Sequence, residues 1–102
     1  WGEGPPRRVA SSSTIAYRNG TFKGKVRSSE SRCRRGRVVT VKRQKRGTDP
    51  VMGSNRSGRD GAWKVRSPNA RGRYYAIVKR KRITSGGEPV VCKRGKSRTK
   101  RA

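Results

Sequence analysis

The chain has 102 residues, of which 30 are Lys or Arg, five are Asp or Glu and none is His, so its formal net charge is +25. A chain of this length forms one domain, and with 27% hydrophobic residues its core must be thin. No apolar run approaches the roughly 18–20 residues that a membrane-spanning helix needs, so no transmembrane segment is predicted.

Residues 1–10 are rich in Gly and Pro and predict a flexible leader. Because the chain begins at Trp1 rather than at Met, we expect either a removed leader peptide or a fragment. Residues 11–99 are predicted to form one β-domain, and residues 100–102 the end of a basic tail that begins at residue 93.

Seven short runs, in which apolar and polar residues alternate, predict β-strands. In chain order they are residues 11–17, 21–28, 37–43, 51–55, 62–66, 73–83 and 90–92. The dipeptides Asn19-Gly20 and Asp60-Gly61 predict hairpin turns. No segment has a helical period, and the pattern is typical of an antiparallel β-sandwich or barrel.

Alternation along each run also predicts which side chains form the core. The residues predicted to face inward are Phe22, Val26, Val39, Val41, Trp63, Val65, Tyr74, Ala76 and Val78. Those predicted to face water are Lys23, Lys25, Arg27, Lys42, Lys64 and Lys79.

Cys33 and Cys92 are the two cysteines of the chain. Cys33 precedes an early predicted strand and Cys92 lies in the last one, so the two can meet across a sandwich. We predict one intramolecular disulfide, which indicates an oxidising compartment; the alternative is two free buried thiols in a cytosolic protein. A structural zinc site needs four Cys or His ligands, so neither a metal nor another cofactor is predicted.

Catalytic groups are scarce in this sequence. Histidine, the usual general base near neutral pH, is absent. The five carboxylates fall in predicted turns or loops, and acid–base hydrolysis needs a close pair of them. We therefore expect no enzymatic activity and no small-molecule substrate.

The excess of positive charge predicts non-specific binding of anionic polymers of a cell wall, a matrix or nucleic acid. The residues expected to carry this binding are Arg32, Arg34, Arg35, Arg37, Lys42, Arg43, Lys45, Arg46, Lys79, Arg80, Lys81, Arg82, Lys93 and Arg94. Aromatic rings could stack bases only if they were exposed, and Trp63 and Tyr74 lie on the predicted core face.

An ordered series of segments carries a family resemblance: TFKGKV, CRRGRVVTVKR, PVMGSN, GAWKV, GRYYAIVKRK and VVCKRGKS. Over about residues 14–99 the series resembles an immunoglobulin-like β-sandwich module of secreted bacterial proteins, related in architecture to carboxypeptidase-regulatory-like and prealbumin-like domains. The resemblance implies a seven-stranded antiparallel immunoglobulin-like β-sandwich with one disulfide, Cys33–Cys92. It also implies a non-catalytic extracellular role.

We therefore expect a secreted or cell-surface module with a structural or adhesive role, either a monomer or part of a longer chain. The alternative is an intracellular nucleic-acid-binding protein, such as a ribosome-associated basic β-domain. The oxidation state of the two cysteines separates these expectations, since a native disulfide is unusual in the cytosol.

Overall fold

In the computed structural model, which describes residues 7–84 and 89–102, the regular elements are twelve short β-strands and one 3-10 turn over Ser31–Cys33. The strands are β1 Arg7–Val9, β2 Ser12–Ser13, β3 Ala16–Arg18, β4 Thr21–Arg27, β5 Val38–Arg43, β6 Val51–Arg56, β7 Ala62–Arg66, β8 Arg73–Val78, β9 Lys81–Ile83, β10 Val90–Cys92, β11 Gly95–Lys96 and β12 Lys100–Arg101. The predicted all-β class is confirmed, although the strands are more numerous and shorter than the seven expected.

The strands form three sheets. In the front sheet β4 pairs with β7 along one edge and with β2 and β3 along the other. The back sheet has the order β11-β8-β5-β6, and β12 also pairs with β8. The end sheet has the order β1-β10-β9, and its β1–β10 pair is parallel, which departs from the wholly antiparallel prediction.

The front and back sheets enclose the main core. Its nine fully or nearly fully buried side chains are Phe22, Val26, Val39, Val41, Trp63, Val65, Tyr74, Ala76 and Val78. Every one of them was predicted, because alternate residues of a strand point to opposite faces of its sheet. The rings of Phe22 and Tyr74 meet from opposite sheets with their centroids 4.8 Å apart. Of the six side chains predicted to face water, only Lys42 is partly buried.

The strand predicted over residues 73–83 is interrupted at Lys79 and Arg80. Its first part, β8, pairs with β5 in the back sheet, and its second part, β9, pairs with β10 in the end sheet. The carbonyl of Lys79 accepts two hydrogen bonds from the Arg37 guanidinium at this break. Arg37 therefore holds the chain where it changes sheets.

Both ends of the chain join sheets, contrary to the prediction. Residues 7–9, expected within the flexible leader, form β1 against β10, while residues 1–6 lie outside the described residues. The basic tail forms β11 and β12 along the edge of β8. Pairing satisfies the backbone N–H and C=O groups of β8 that would otherwise remain at an open edge.

The two predicted hairpin turns have different outcomes. Asn19 and Gly20 both have positive φ, 52° and 74°, and join β3 to β4 as an antiparallel pair, as predicted. Asp60-Gly61 does not close a hairpin, because β6 pairs with β5 whereas β7 pairs with β4. That turn instead carries the chain from the back sheet to the front sheet.

Two glycines allow the segment over residues 11–14 to lie against both large sheets. A Cβ atom at Gly24 of β4 would lie 2.0 Å from the Thr14 carbonyl oxygen, and one at Gly95 of β11 would lie 2.3 Å from that of Ser11. Any side chain at either position would force the segment away. The segment thus bridges the edges of the front and back sheets.

Substituting Trp63 by Phe should lower the free energy of unfolding by about 1–3 kcal/mol, since it leaves a void and removes a buried hydrogen bond. The Trp63 Nε1–H donates to the Ser13 hydroxyl at 2.9 Å. Urea unfolding measures the loss, with Lys64→Gln on the exposed face of the same strand as control, expected within about 0.5 kcal/mol of wild type. Equal stability of Trp63→Phe and wild type would contradict this packing.

Candidate anion-binding site

The Cys33–Cys92 disulfide joins two of the predicted basic segments, around residues 32–37 and 93–94. The two Cα atoms lie 5.4 Å apart and both cysteines are fully buried, so the predicted bridge is confirmed. It joins the 3-10 turn to β10, and it packs in a second small core with Val9 and Val90. The end sheet is thereby fixed to the rest of the domain.

Arg37 is the largest fully buried side chain, which corrects its prediction as a surface residue that binds polymers. Its guanidinium has five N–H donors, and each has an acceptor. Nε and Nη2 donate to the Lys79 carbonyl at 3.2 and 2.8 Å, and Nη2 also donates to the Lys93 carbonyl at 3.0 Å. Nη1 donates to the Cys33 carbonyl at 2.7 Å and to the Ser11 hydroxyl at 2.9 Å. One cation thus joins four chain segments.

Ser57 completes this buried polar network. Its hydroxyl accepts from the Arg37 backbone N–H at 2.8 Å and donates to the Arg34 carbonyl at 2.7 Å. Desolvation lowers the pKa of Arg37 below its ordinary value, yet an arginine in a protein keeps its proton. Among the described residues, the acceptors of this charged guanidinium are backbone carbonyls and one hydroxyl, and none is a carboxylate.

Two clefts share Arg80 as a lining residue, and we call their cations together the basic end. The first cleft, of about 330 Å³, is lined by the cations Arg56, Lys79, Arg80 and Lys81. The second, of about 320 Å³, is lined by the cations Arg8, Arg80, Lys93 and Arg94. None of the residues that line either cleft in the described structure is acidic.

The basic end unites two of the predicted basic segments. Residues 79–81 and 93–94 were predicted as binding residues, and the Arg37 guanidinium donates hydrogen bonds to the carbonyls of Lys79 and Lys93. Arg8 and Arg56 were missed, because one lies in the predicted leader and the other just beyond a predicted strand. Neither position carries a sequence signal that links it to the others.

The remaining predicted residues do not line these clefts. Lys42, Arg43, Lys45 and Arg46 belong to the end of β5 and the turn after it. Arg32 donates from Nε to Glu30 at 3.2 Å, Arg34 is partly buried, and Arg35 and Arg82 are exposed. The fourteen predicted residues therefore do not form one surface.

Carboxylates near the predicted segments are occupied by local partners. Asp49 accepts from the Lys45 backbone N–H at 3.0 Å and from the Tyr75 hydroxyl, and these bonds hold the pKa of Asp49 below its usual range. Glu30 accepts from Arg32 and forms an ion pair with Arg7, and hydrogen bonds from Arg32 lower the pKa of Glu30. Within the described ranges, these acids offset few of the cations.

The outer face of the front sheet carries a second set of cations, which we call the basic face. Its exposed members are Arg18, Lys23, Lys25, Arg27, Lys64 and Arg66. Lys23 and Lys64 are directly opposite each other in the β4–β7 register, an arrangement that destabilises a sheet. Three of these cations, Arg18, Lys23 and Lys64, line a further cleft of about 240 Å³, which is smaller than either cleft of the basic end.

A third feature is a groove of about 610 Å³ between residues 12–15 and the C-terminal segment. One wall consists of Ser12, Ser13, Thr14 and Ile15, and the other of Lys96, Arg98, Thr99 and Lys100. It lies at the edge where the front and back sheets approach each other.

The described residues contain no cluster of three or more His, Cys, Asp or Glu side chains that could hold a metal ion. They also contain no helix with the length and apolar character needed to span a bilayer. Comparisons with protein-family models, with curated proteins and with solved structures find no match to this chain.

Proposed function

We propose that this chain is a non-catalytic, immunoglobulin-like β-sandwich module, secreted or attached to the cell surface, which holds anionic polymers at its basic end. Two large sheets around one core, with a long-range disulfide, support the sandwich assignment. The disulfide also supports an oxidising compartment, because thiols are kept reduced in the cytosol. The role is structural or adhesive.

The observation that carries the proposal is the convergence of cations on Arg80. Four stretches of chain, around residues 8, 56, 80 and 94, contribute them to two adjoining clefts. Concave walls lined by one sign of charge concentrate the electrostatic field and attract ions of the opposite sign. Guanidinium groups suit the paired oxygens of phosphate, sulfate and carboxylate.

The buried network prepares this site before a ligand arrives. Arg37 fixes the backbone of Lys79 and Lys93, and the disulfide fixes the adjoining β10. A site that is already ordered loses less conformational entropy when it binds. We therefore expect tighter binding here than on the basic face, at equal charge.

The intracellular nucleic-acid-binding alternative receives less support from the arrangement of aromatic rings. Trp63, Tyr74 and Tyr75 are buried, and the Lys96 ammonium lies 4.4 Å from the centroid of the Tyr75 ring. Sequence-tolerant binding of single strands relies on exposed rings that stack on bases. The lining of the two clefts contains no aromatic residue among those described.

A charge-matched pair of triple variants tests the proposal. Both Lys79→Gln/Arg80→Gln/Arg94→Gln at the basic end and Lys23→Gln/Arg18→Gln/Arg66→Gln on the basic face remove three positive charges from +25. We expect the first to reduce the slope of log affinity against log salt by about 2, since each lost ionic contact removes about 0.7–0.9. We expect the second to change it by less than about 1. Fluorescence anisotropy with labelled heparin and labelled polyphosphate measures both slopes.

Equal losses in the two triple variants would show that total charge, and not the basic end, sets the affinity. No salt-dependent binding of wild type to either polymer would refute the proposed function. Two unrelated DNA sequences serve as a further arm. A preference of more than about 100-fold for one of them at matched salt, near 2.7 kcal/mol, would favour the nucleic-acid alternative.

A further inference from the structure

The groove between residues 12–15 and 96–100 differs in chemistry from the basic end. Its lining combines four hydroxyl-bearing residues, three cations and the half-buried Ile15. None of the eight lining residues is acidic or aromatic. A volume of about 610 Å³ falls in the range of small-molecule sites, about 300–1,000 Å³.

The cationic wall is held in place from the back sheet. Ser97, in its middle, is buried; its hydroxyl accepts from the Ala76 backbone N–H at 2.7 Å, and its own N–H donates to the Ala76 carbonyl at 2.8 Å. Lys96, Arg98 and Lys100 alternate with it and with Thr99, and all three are exposed. The pairing to β8 shifts by one residue between Lys96, which is opposite Ile77, and Lys100, which is opposite Tyr74. Because the Lys96 ammonium also lies over the Tyr75 ring, we assign the binding of an acidic group to Arg98 and Lys100.

The hydroxyl wall is held in place from the front sheet. The Thr14 N–H donates to the Lys25 carbonyl at 3.1 Å, and the Lys25 N–H donates to the Thr14 hydroxyl at 2.9 Å. The Ser13 hydroxyl donates to the Thr14 carbonyl at 2.8 Å and accepts from Trp63. Ser12 and Thr99, by contrast, are exposed, and they line opposite walls of the groove.

We infer that this groove binds an acidic sugar unit of a glycan. The cations neutralise the carboxylate, sulfate or phosphate of the sugar, the hydroxyls of Ser12 and Thr99 exchange hydrogen bonds with its hydroxyl groups, and Ile15 contacts its C–H surface. An anion without hydroxyl groups can only accept hydrogen bonds from Ser12 and Thr99, whereas a sugar hydroxyl both donates and accepts. The bases of a nucleic acid would find no aromatic ring in the groove to stack on. The inference extends the proposed function from the basic end to a second site and rests on that function, since acidic glycans are one class of anionic polymer.

The sharpest test removes hydroxyls without changing charge. In Ser12→Ala/Thr99→Val we expect the affinity for a heparin-derived tetrasaccharide and for tetragalacturonate to fall about 5–10-fold, as for the loss of two hydrogen bonds. The affinity for inorganic polyphosphate of matched charge should stay within about twofold. The two saccharides separate sulfate from carboxylate as the preferred acidic group, and isothermal titration calorimetry at one salt concentration measures all three.

A second pair of variants tests the two cations Arg98 and Lys100 and replaces the first test if the hydroxyl variant does not fold. Arg98→Gln/Lys100→Gln should weaken binding of the preferred saccharide by about tenfold or more, as for two ionic contacts. The charge-matched control Arg66→Gln/Lys23→Gln should weaken it by less than about threefold. Circular dichroism melts confirm that each variant is folded.

The outcomes separate this inference from the proposed function. If wild type binds polyphosphate as tightly as the saccharides and the hydroxyl variant matches wild type, the groove is not a sugar site, although the polymer-binding function stands. Equal losses in the two charge variants would overturn the inference in the same way. If wild type binds none of the three ligands, both proposals fail. Tighter binding of single-stranded DNA than of either saccharide would identify the partner as nucleic acid.

Discussion

Replacement of Arg37 by Met should lower the free energy of unfolding by about 3–5 kcal/mol, as large as the loss of one partner of a buried ion pair. Met fills similar space but removes the donor from the buried carbonyl of Cys33 and from the carbonyls of Lys79 and Lys93. Each unsatisfied buried acceptor costs about 1–3 kcal/mol. For a domain of this size the melting temperature should fall by more than about 12 °C.

Two further variants isolate the cause of the loss. Arg37→Lys retains the charge but has a compact ammonium in place of the planar fork, so we expect it to recover only a small part of the stability. Arg35→Met removes the same kind of side chain from an exposed position two residues earlier and should change stability by less than about 0.5 kcal/mol. Full stability of Arg37→Lys would show that the charge alone, and not the geometry of the fork, matters.

Removal of the Cys33–Cys92 disulfide should cost about 4 kcal/mol, because the bridge closes a long loop and restricts the unfolded chain. The two cysteines are 59 residues apart in sequence. Since small domains have a total stability of about 5–15 kcal/mol, the loss is a large fraction of it. The end sheet, whose small core includes both cysteines, should loosen first.

The measurement is chemical unfolding of wild type with and without reductant, beside Cys33→Ser/Cys92→Ser without either thiol. Reductant should destabilise wild type to about the level of the double variant and leave the double variant unchanged. Hydrogen exchange should show the greatest loss of protection in β1, β9 and β10. A double variant as stable as oxidised wild type would contradict this account of the bridge.

Arg37 and the Cys33–Cys92 disulfide stabilise the fold, and they also fix the backbone of the proposed site. Arg37 bonds to the carbonyls of Lys79 and Lys93, whose side chains line different clefts of the basic end. Cys92 directly precedes Lys93 and closes the disulfide. Many cations in one place repel each other, which destabilises the folded state. The hydrogen bonds from Arg37 to the backbone carbonyls hold these segments together against that repulsion. Stability and binding are therefore coupled through the backbone of these segments.

Several features follow from the sequence alone. The core positions could be predicted because alternation of apolar and charged residues leaves one register per strand: a slip of one residue at Phe22 or Trp63 would bury lysines. The Asn19-Gly20 turn could be predicted because its two positive φ angles suit those two residue types. The disulfide could be predicted from the presence of two cysteines in a thin-cored domain, one before an early predicted strand and one in the last predicted strand. The core positions and the turn follow from local sequence patterns, and the disulfide follows from the number of cysteines.

The site required the tertiary structure. Arg37 lies in a run of arginines and glycine that is typical of an exposed basic loop, and only the four segments around it make burial of its charge possible. No Gly or Pro marks the break at Lys79 and Arg80 in the sequence. The break is stabilised instead by the guanidinium of Arg37, which is distant in sequence.

Length, charge, core alternation, one turn and the cysteine pair were thus determined by the sequence itself. The strands at both chain ends, the buried position of Arg37 and the meeting of Arg8, Arg56, Arg80 and Arg94 were decided by tertiary structure alone. The physical reason is that the alternation of buried and exposed side chains can be recognised from neighbouring residues, whereas the hydrogen-bond partners of a buried charge come from segments that are distant in sequence. Among 30 Lys and Arg residues, no local sequence pattern distinguishes the one that is fully buried from the others.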